Sequence, residues 1–196
     1  MSFKIFGVRI KITYFFSAII CLMLFTDRTG LAMPVLFAIA AHESAHIFAM
    51  KKLGVAPKEI ELIPGSIKII NPQRFRRKIE NIILISGPAC NFLLFVVLYA
   101  VYRFSGSISF AKWAAVELII AAFNMLPARG LDGGSLLFNF LISHFSPVAA
   151  NIIHVCVSVF VGMFFIVFGV LGTLFGAFNP SISILGLYII ILTFFK

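Results

Sequence analysis

Charged residues divide the chain into long apolar segments separated by short polar ones. A transmembrane helix needs roughly 20 predominantly apolar residues. Four such segments come first: between Lys11 and Asp27, at Thr29–Met50, at Asn81–Tyr102, and from Trp113 onward. Residues 133–195 then carry no formal charge, which leaves room for the end of the fourth segment and two more spans. The pattern predicts about six transmembrane helices.

Two of these segments depart from a simple span. The first is short, so we expect it to recruit part of the preceding "FGVRIKI", with Arg9 and Lys11 extending to the membrane interface. The fourth runs into "FNMLPARGLDGG", whose proline and glycines must break or kink a helix. A broken helix at membrane depth is tolerated only where it lines a cavity or is buried in protein. Phe178-Asn179-Pro180 is the natural turn between the last two spans.

Residues 51–80 form the only clearly polar region. Glu59–Leu62 and Ser66–Ile69 alternate polar and apolar residues on either side of Pro64-Gly65, a dipeptide suited to a turn. The alternation predicts a short β-hairpin at the membrane surface between the second and third spans.

The composition changes this picture little. Hydrophobic residues make up 61% of the chain and charged residues 12%, against about 45–50% and about 25% in soluble domains. The predicted fold class is therefore an all-α polytopic membrane protein, with one domain over residues 1–196. Cys21, Cys90 and Cys156 lie in different apolar segments, so neither disulfides nor a thiolate metal site is indicated.

The formal charge of +9 does not indicate nucleic acid as a partner. Half of the Lys and Arg residues lie between Lys51 and Lys78, beside an apolar span, where they set topology by the positive-inside rule. This rule places residues 51–78 in the cytoplasm. With six spans, both termini are then cytoplasmic as well.

The second span carries "AHESAHIF", residues 41–48, with two histidines and a glutamate in apolar surroundings. His42 and His46 are four residues apart and project from one face of a helix, the spacing with which two imidazoles hold one Zn²⁺. Glu43 is placed to act as the general base toward the attacking water. Ionisable groups within a span are costly and indicate a functional site.

A catalytic zinc takes three protein ligands and keeps one position open, so a third ligand is required. Asp132, in "LPARGLDGGS", is the only carboxylate after Glu117. Glycines on either side would let its backbone approach the site closely. By itself, Leu-Asp-Gly-Gly is more often a turn than a ligand site.

Taken together, these stretches resemble the site-2 protease family of intramembrane zinc metalloproteases. The resemblance rests on His42-Glu43-x-x-His46, on Asn124-x-x-Pro127-x-x-x-Leu131-Asp132-Gly133, and on "SGPACN" at residues 86–91, which is similar to the family's Gly-Pro-x-x-Asn stretch. The compact layout looks most similar to the branch typified by stage IV sporulation protein FB. Neither a PDZ domain nor that branch's CBS domain is expected here, and the catalytic core would cover about residues 29–143.

The resemblance implies that His42, His46 and Asp132 bind one zinc ion and that Glu43 is the general base. It also implies that Asn124 and Pro127 shape the substrate site. The substrate would be a membrane-bound protein cut within or near a transmembrane segment, as in regulated intramembrane proteolysis in a bacterial cell membrane. An edge strand of the hairpin, with outward amides at Ile67 and Ile69, could hold the unwound substrate. The sequence does not identify a regulatory partner.

Other interpretations remain open from the residues alone. The histidines could be neutral packing residues, and the hairpin region could be a surface loop. A divalent-metal transporter could use the same His, Glu and Asp side chains, although no second ladder of intramembrane ligands marks a path. The third alternative is a catalytically inactive relative that binds membrane substrates without cutting them. The presence of His42, Glu43, His46 and Asp132 argues against it. Glu117 is expected near the outer interface, and we expect neither His144 nor His154 to be a ligand.

Overall fold

The computed structural model describes residues 2–5, 8–12, 22–55, 59–63, 66–70, 76–176 and 180–195. In this part of the chain the strands are β1 (Ser2–Ile5), β2 (Val8–Ile12), β3 (Glu59–Ile63) and β4 (Ser66–Ile70). The helices are α1 (Ala32–Lys52), α2 (Arg77–Ser105), α3 (Ile108–Asn124), α4 (Asp132–His144), α5 (Pro147–Leu174) and α6 (Ser181–Phe195). Residues 22–26 are also helical. The chain divides into two compact units, Met1–Ala121 and Ala122–Lys196. The assignment of one domain to residues 1–196 stays a prediction.

The first unit contains a four-stranded sheet in the order β1-β2-β3-β4. The outer pairs are antiparallel, and the central pair β2–β3 is parallel. In the predicted hairpin region, β3 and β4 pair with Ile63 opposite Ser66. The Pro64-Gly65 turn lies outside the described residues.

Strand β2 corrects the sequence analysis, which assigned part of "FGVRIKI" to the first span. Residues 8–12 alternate apolar and basic residues, a period of two that suits a strand. The parallel register then sets Arg9 opposite Glu59 and Lys11 opposite Glu61. Residues 13–21 of the predicted first span lie outside the described part of the chain.

Helices α1 and α2 pack against each other in the first unit. Helix α1 ends with Lys51 and Lys52 in its last turn, where positive charge is favourable to the helix dipole. Helix α2 begins after Arg76 and ends at Ser105, and Gly106, with a φ of 68°, provides the left-handed cap. These bounds agree with the second and third predicted spans.

The fourth apolar segment is divided, as its proline and glycines predict. Helix α3 ends at Asn124, a turn follows, and α4 begins at Asp132. Gly133 and Gly134 are required at the start of α4, because a Cβ at either position would collide with the backbone carbonyls of Met125 and Ala128. The turn is packed by an apolar cluster of the second unit: Ala128, Leu131 and Ile189, with Phe123, Leu126, Val161 and Phe165 around it.

Helices α5 and α6 form the largest packing surface of the second unit. Gly162 and Gly186 let the two backbones approach closely, since a Cβ on Gly162 would lie 3.0 Å from the carbonyl oxygen of Gly186. Small residues at such contacts are typical of helices that pack in lipid. Pro180 lies in the turn before α6, whereas Phe178 and Asn179 are outside the described residues.

Three helices of the described residues are long and apolar enough to cross a bilayer, namely α1, α2 and α5. Helices of this length and composition indicate an integral membrane protein. The predicted count of six spans is not supported. The turn divides the fourth segment into helices of 17 and 13 residues, and α6 has only 15. Each of these is shorter than the roughly 20 residues that cross a bilayer unaided.

Candidate metal centre

His42 and His46 lie one turn apart on α1 and are both buried, with 4% and 6% of their surfaces exposed. The two rings meet edge to face, with centroids 4.7 Å apart. Their Nε2 atoms lie 3.1 Å from each other. The helical spacing of the motif therefore brings the same nitrogen of both imidazoles to one point.

The other ring nitrogen of His46 is held by α2. Nδ1 of His46 lies 2.7 Å from the carbonyl oxygen of Ile83. A carbonyl only accepts hydrogen bonds, so Nδ1 of His46 carries the proton and donates it. In the neutral ring, Nε2 then presents an unprotonated lone pair.

His42 is held in the same way by Asn91, whose Oδ1 lies 2.7 Å from Nδ1 of His42. The orientation of the Asn91 amide follows from its other partners. Nδ2 of Asn91 donates to the carbonyl oxygen of Ala38 at 2.9 Å and to Oε2 of Glu117 at 2.5 Å. Because the Ala38 carbonyl cannot donate, Oδ1 must be the atom that faces His42, and Nδ1 of His42 carries the proton. Nε2 of His42 is therefore also unprotonated in the neutral ring.

Gly87 of α2 leaves the space beside these two nitrogens. A Cβ at position 87 would lie 2.5 Å from Nε2 of His46 and 2.7 Å from Nε2 of His42. Atoms in ordinary van der Waals contact are 3.4–4 Å apart. Only glycine at this position is compatible with the observed placement of both rings.

The histidine pair fits a bound zinc ion. Two imidazole nitrogens that face each other at 3.1 Å can both donate a lone pair to one cation. Zn–N bonds of about 2.0–2.1 Å at a tetrahedral angle place two nitrogens roughly 3.4 Å apart, close to the observed separation. Hydrogen bonds from the other ring nitrogens to a carbonyl or an amide are typical of histidine ligands.

Asp132 is the first residue of α4 and is half-buried. Asp132 belongs to the second unit, whereas His42 and His46 belong to the first. Two imidazoles and one carboxylate form a ligand set that suits zinc. The chemistry of these donors thus agrees with the ligands that the sequence motif predicts.

The remaining predicted site residues occupy defined elements, and their roles stay predictions. Glu43 is half-buried on α1 beside His42. Asn124 is the last residue of α3, and Pro127 lies in the turn that follows. Ile67 and Ile69 lie on β4, an edge of the described sheet.

Sequence reasoning missed the residues that hold the ligands. Glu117 was expected near the outer interface, but only 1% of its surface is exposed and it accepts the Asn91 hydrogen bond, so this expectation is wrong. Asn91 and Gly87 were visible only as parts of the Gly-Pro-x-x-Asn stretch.

The other two histidines, His144 and His154, belong to the second unit. His144 is exposed, with Nδ1 near the hydroxyl of Ser143 and the carbonyl of Phe140. His154 is buried and stacks on Phe138, and its Nε2 has no hydrogen-bond partner among the described residues.

Comparison with solved structures identifies the fold. Over 98% of this chain and 94% of the other, the structure matches the site-2 protease from Methanocaldococcus jannaschii with a TM-score of 0.72 and 22% sequence identity. The chain has the site-2 protease fold. The resemblance of its motifs to that family is supported by this fold, whereas the placement in the sporulation branch stays a prediction.

Curated proteins similar to this chain in sequence include zinc metalloproteases. Zinc metalloprotease MJ0392 of Methanocaldococcus jannaschii is 28% identical over 168 residues, which are 76% of this chain and 49% of that protein. The putative zinc metalloprotease Rip3 of Mycobacterium tuberculosis is 31% identical over 121 residues, 57% of this chain and 31% of Rip3. The chain therefore spans half or less of the length of these relatives. No family model matches the sequence.

Proposed function

We propose that this chain is an intramembrane zinc metalloprotease that hydrolyses a peptide bond within or near a transmembrane segment of a membrane-bound protein. The observation that carries the proposal is the His42–His46 pair, whose Nε2 atoms converge to 3.1 Å in a buried position. The site-2 protease fold and the zinc metalloprotease relatives support the same function.

His42, His46 and Asp132 are the proposed ligands of one zinc ion. When bound, zinc supplies Lewis-acid chemistry: it polarises the scissile carbonyl and lowers the pKa of the attacking water. Support for the third ligand comes from its donor type, because two imidazoles and one carboxylate form a set that suits zinc.

Glu43 is the proposed general base. It follows His42 directly on α1, and it is half-buried. Its carboxylate takes a proton from the attacking water and later delivers a proton to the leaving amine. The amide of Asn124 is proposed to donate a hydrogen bond to the oxyanion, and Pro127 to fix the turn that follows α3.

Strand β4 is the proposed docking strand for the substrate. A transmembrane helix must unwind locally before water reaches its carbonyls, and an extended segment needs new partners for its backbone. In the order β1-β2-β3-β4, one side of β4 is paired with β3 and the other is an edge of the described sheet. Ile63 pairs with Ser66 in the antiparallel register of β3 and β4, and we propose that the amides of Ile67 and Ile69 point away from β3.

Proline substitution tests this docking strand. Ile69→Pro removes one outward N–H, and we expect slower cleavage, whereas Ile69→Val keeps the N–H and serves as the matched control. Equal cleavage by both variants would rule out strand addition at this edge.

We also propose a membrane topology in which residues 51–78 and both termini are cytoplasmic. The proposal rests on the distribution of Lys and Arg residues. In this orientation His46, five residues before Lys51, lies in the cytoplasmic half of the bilayer. Cysteine labelling from either side of the membrane would test the orientation.

The test of the function is cleavage of a panel of single-span membrane proteins that are co-expressed with the wild-type chain or with Glu43→Gln. Bound zinc is quantified in both purified forms. We expect product only with the wild type, and zinc in both. Glu80→Gln, at a half-buried position in the first turn of α2, is the matched control and should cleave as the wild type does. Zinc flux into vesicles that requires Glu43, without any cleavage, would instead identify a metal transporter.

A further inference from the structure

Three helices of the first unit meet at one buried amide. Asn91 of α2 is fully buried, and Glu117 of α3 is 1% exposed. The amide group of Asn91 joins both to α1: Oδ1 accepts from His42, and Nδ2 donates to the carbonyl of Ala38. The remaining N–H of the same group donates to Glu117. Every donor and acceptor of this amide is therefore assigned.

We propose that Glu117 and Asn91 form a relay that positions His42 as a zinc ligand and strengthens it as a donor to the metal. The relay is defined by the hydrogen bonds Nδ2(Asn91)–H···Oε2(Glu117) and Nδ1(His42)–H···Oδ1(Asn91). The inference rests on the proposed zinc centre, and it adds two positioning residues to that centre.

The relay fixes the tautomer of His42. If the Asn91 amide rotated by half a turn, its NH₂ group would face Nδ1 of His42, and the proton would have to move to Nε2, where it blocks a metal. The bond from Nδ2 to the Ala38 carbonyl prevents this rotation, because an Oδ1 atom in that place would face another acceptor. The bond to Glu117 opposes the rotation for the same reason.

Glu117 accepts the Asn91 hydrogen bond with a carboxylate, although a neutral acceptor would be enough to satisfy that N–H. Burial of a carboxylate is costly. Oε1 of Glu117 has no hydrogen-bond partner among the described residues, so the local structure does not fully compensate this cost. A carboxylate polarises the amide that donates to it, which makes Oδ1 of Asn91 a stronger acceptor and His42 a more basic ligand. His46 has no such relay, since its Nδ1 donates to the carbonyl of Ile83.

The relay predicts graded effects on metal affinity. Loss of a hydrogen-bond partner behind a histidine ligand typically weakens metal binding about 10–100-fold. We expect an effect of this size for Asn91→Ala, and a smaller one for Glu117→Ala. Glu117→Gln keeps an acceptor and removes the charge, so its affinity should lie between that of Glu117→Ala and that of the wild type.

The experiment measures the dissociation constant of Co²⁺ for the purified full chain in detergent, by competition with a chelator and by the cobalt absorption bands. Thermal stability without metal is measured in parallel for each variant. Thr193→Val is the matched control, because Thr193 is equally buried and donates only to the carbonyl of Ile189 in α6. Its affinity for Co²⁺ should equal that of the wild type.

The double variant Asn91→Ala/Glu117→Ala separates a relay from two independent residues. Glu117 acts through Asn91, so its removal should matter no more once Asn91 is gone, and the double variant should bind within about threefold of Asn91→Ala. Fold-changes that multiply would overturn the relay. If Asn91→Ala fails to fold, Glu117→Ala and Glu117→Gln carry the test, and affinities equal to the wild type in both would overturn it.

The outcomes also separate this inference from the proposed function. If the wild-type chain does not bind Co²⁺, the zinc centre itself is wrong. If the wild type binds and Asn91→Ala binds equally well, the centre stands and the relay is wrong. A purely structural role would lower the thermal stability of the variants and leave the affinity of the folded protein unchanged.

Discussion

The substitution Gly87→Ala should abolish metal binding while leaving the chain folded. The added Cβ would lie 2.5 Å from Nε2 of His46 and 2.7 Å from Nε2 of His42. Ordinary contact begins at 3.4 Å, so the overlap with His46 is 0.9 Å. Both rings are held from behind by Ile83 and Asn91, so they cannot move away without breaking those hydrogen bonds.

The magnitude follows from two opposing terms. Overpacking a buried position costs about 1–3 kcal/mol. Alanine in place of a helical glycine stabilises the helix by up to about 1 kcal/mol. We therefore expect the metal-free Gly87→Ala protein to be roughly 0–2 kcal/mol less stable than the wild type. Loss of a hydrogen bond that supports a metal ligand weakens metal binding by up to roughly 100-fold. Zinc affinity of Gly87→Ala should fall by more than this, because the ligand atoms themselves are displaced.

The assay compares melting temperatures with and without zinc. A metal at 100 times its dissociation constant stabilises the folded protein by about 2.7 kcal/mol, so the wild-type melting temperature should rise with zinc and that of Gly87→Ala should not. Gly162→Ala is the control, because its Cβ would also meet a side-chain atom at 2.5 Å, on Ile190 of α6. This control should be destabilised and still respond to zinc. An equal zinc response in Gly87→Ala would refute the assignment of the site.

Two further predictions concern the start of α1 and the turn between α3 and α4. Hydrogen bonds from the backbone N–H of Ala32 and then from Thr29 lower the pKa of Asp27 from 3.8 to about 2. The ionised carboxylate thus stabilises the start of α1 above about pH 4, and this stabilisation is lost as the pH falls toward 2. The protection factors of the amides at residues 29–32, which correct for the intrinsic exchange rate at each pH, should therefore fall over that range in the wild type and stay constant in Asp27→Asn. Constant protection factors in the wild type would contradict the prediction. Arg129→Lys removes one of the two guanidinium hydrogen bonds that tie the turn to α5 and α6, so the melting temperature should fall by the equivalent of about 1 kcal/mol with cobalt affinity unchanged.

The helices around the site were predictable because local patterns determine them. Charge spacing marks α1 and α2, and the four-residue spacing of His42 and His46 fixes their common face on a helix. The break before Asp132 follows from Pro127 and the adjacent glycines. These features depend on residues that are near one another in sequence.

The surroundings of the ligands were not predictable in the same way. Glu117 is five residues from Lys112, and this local spacing suggested an interface position. Its actual partner, Asn91, is 26 residues away on another helix, and only tertiary packing brings the two together. Strand β2 was missed for a related reason: its alternation of apolar and basic residues is short, and its partner β3 lies some 50 residues later.

The most direct measurement is peptide-bond cleavage by the metal-free protein as zinc is added back in known amounts. The chain is purified in detergent, treated with a chelator, and reconstituted with a single-span substrate. Activity should be absent at the start, rise in proportion to added zinc, and level off at one zinc ion per chain. Cleavage that persists in the metal-free protein, or that does not depend on zinc, would contradict the assignment of a zinc metalloprotease.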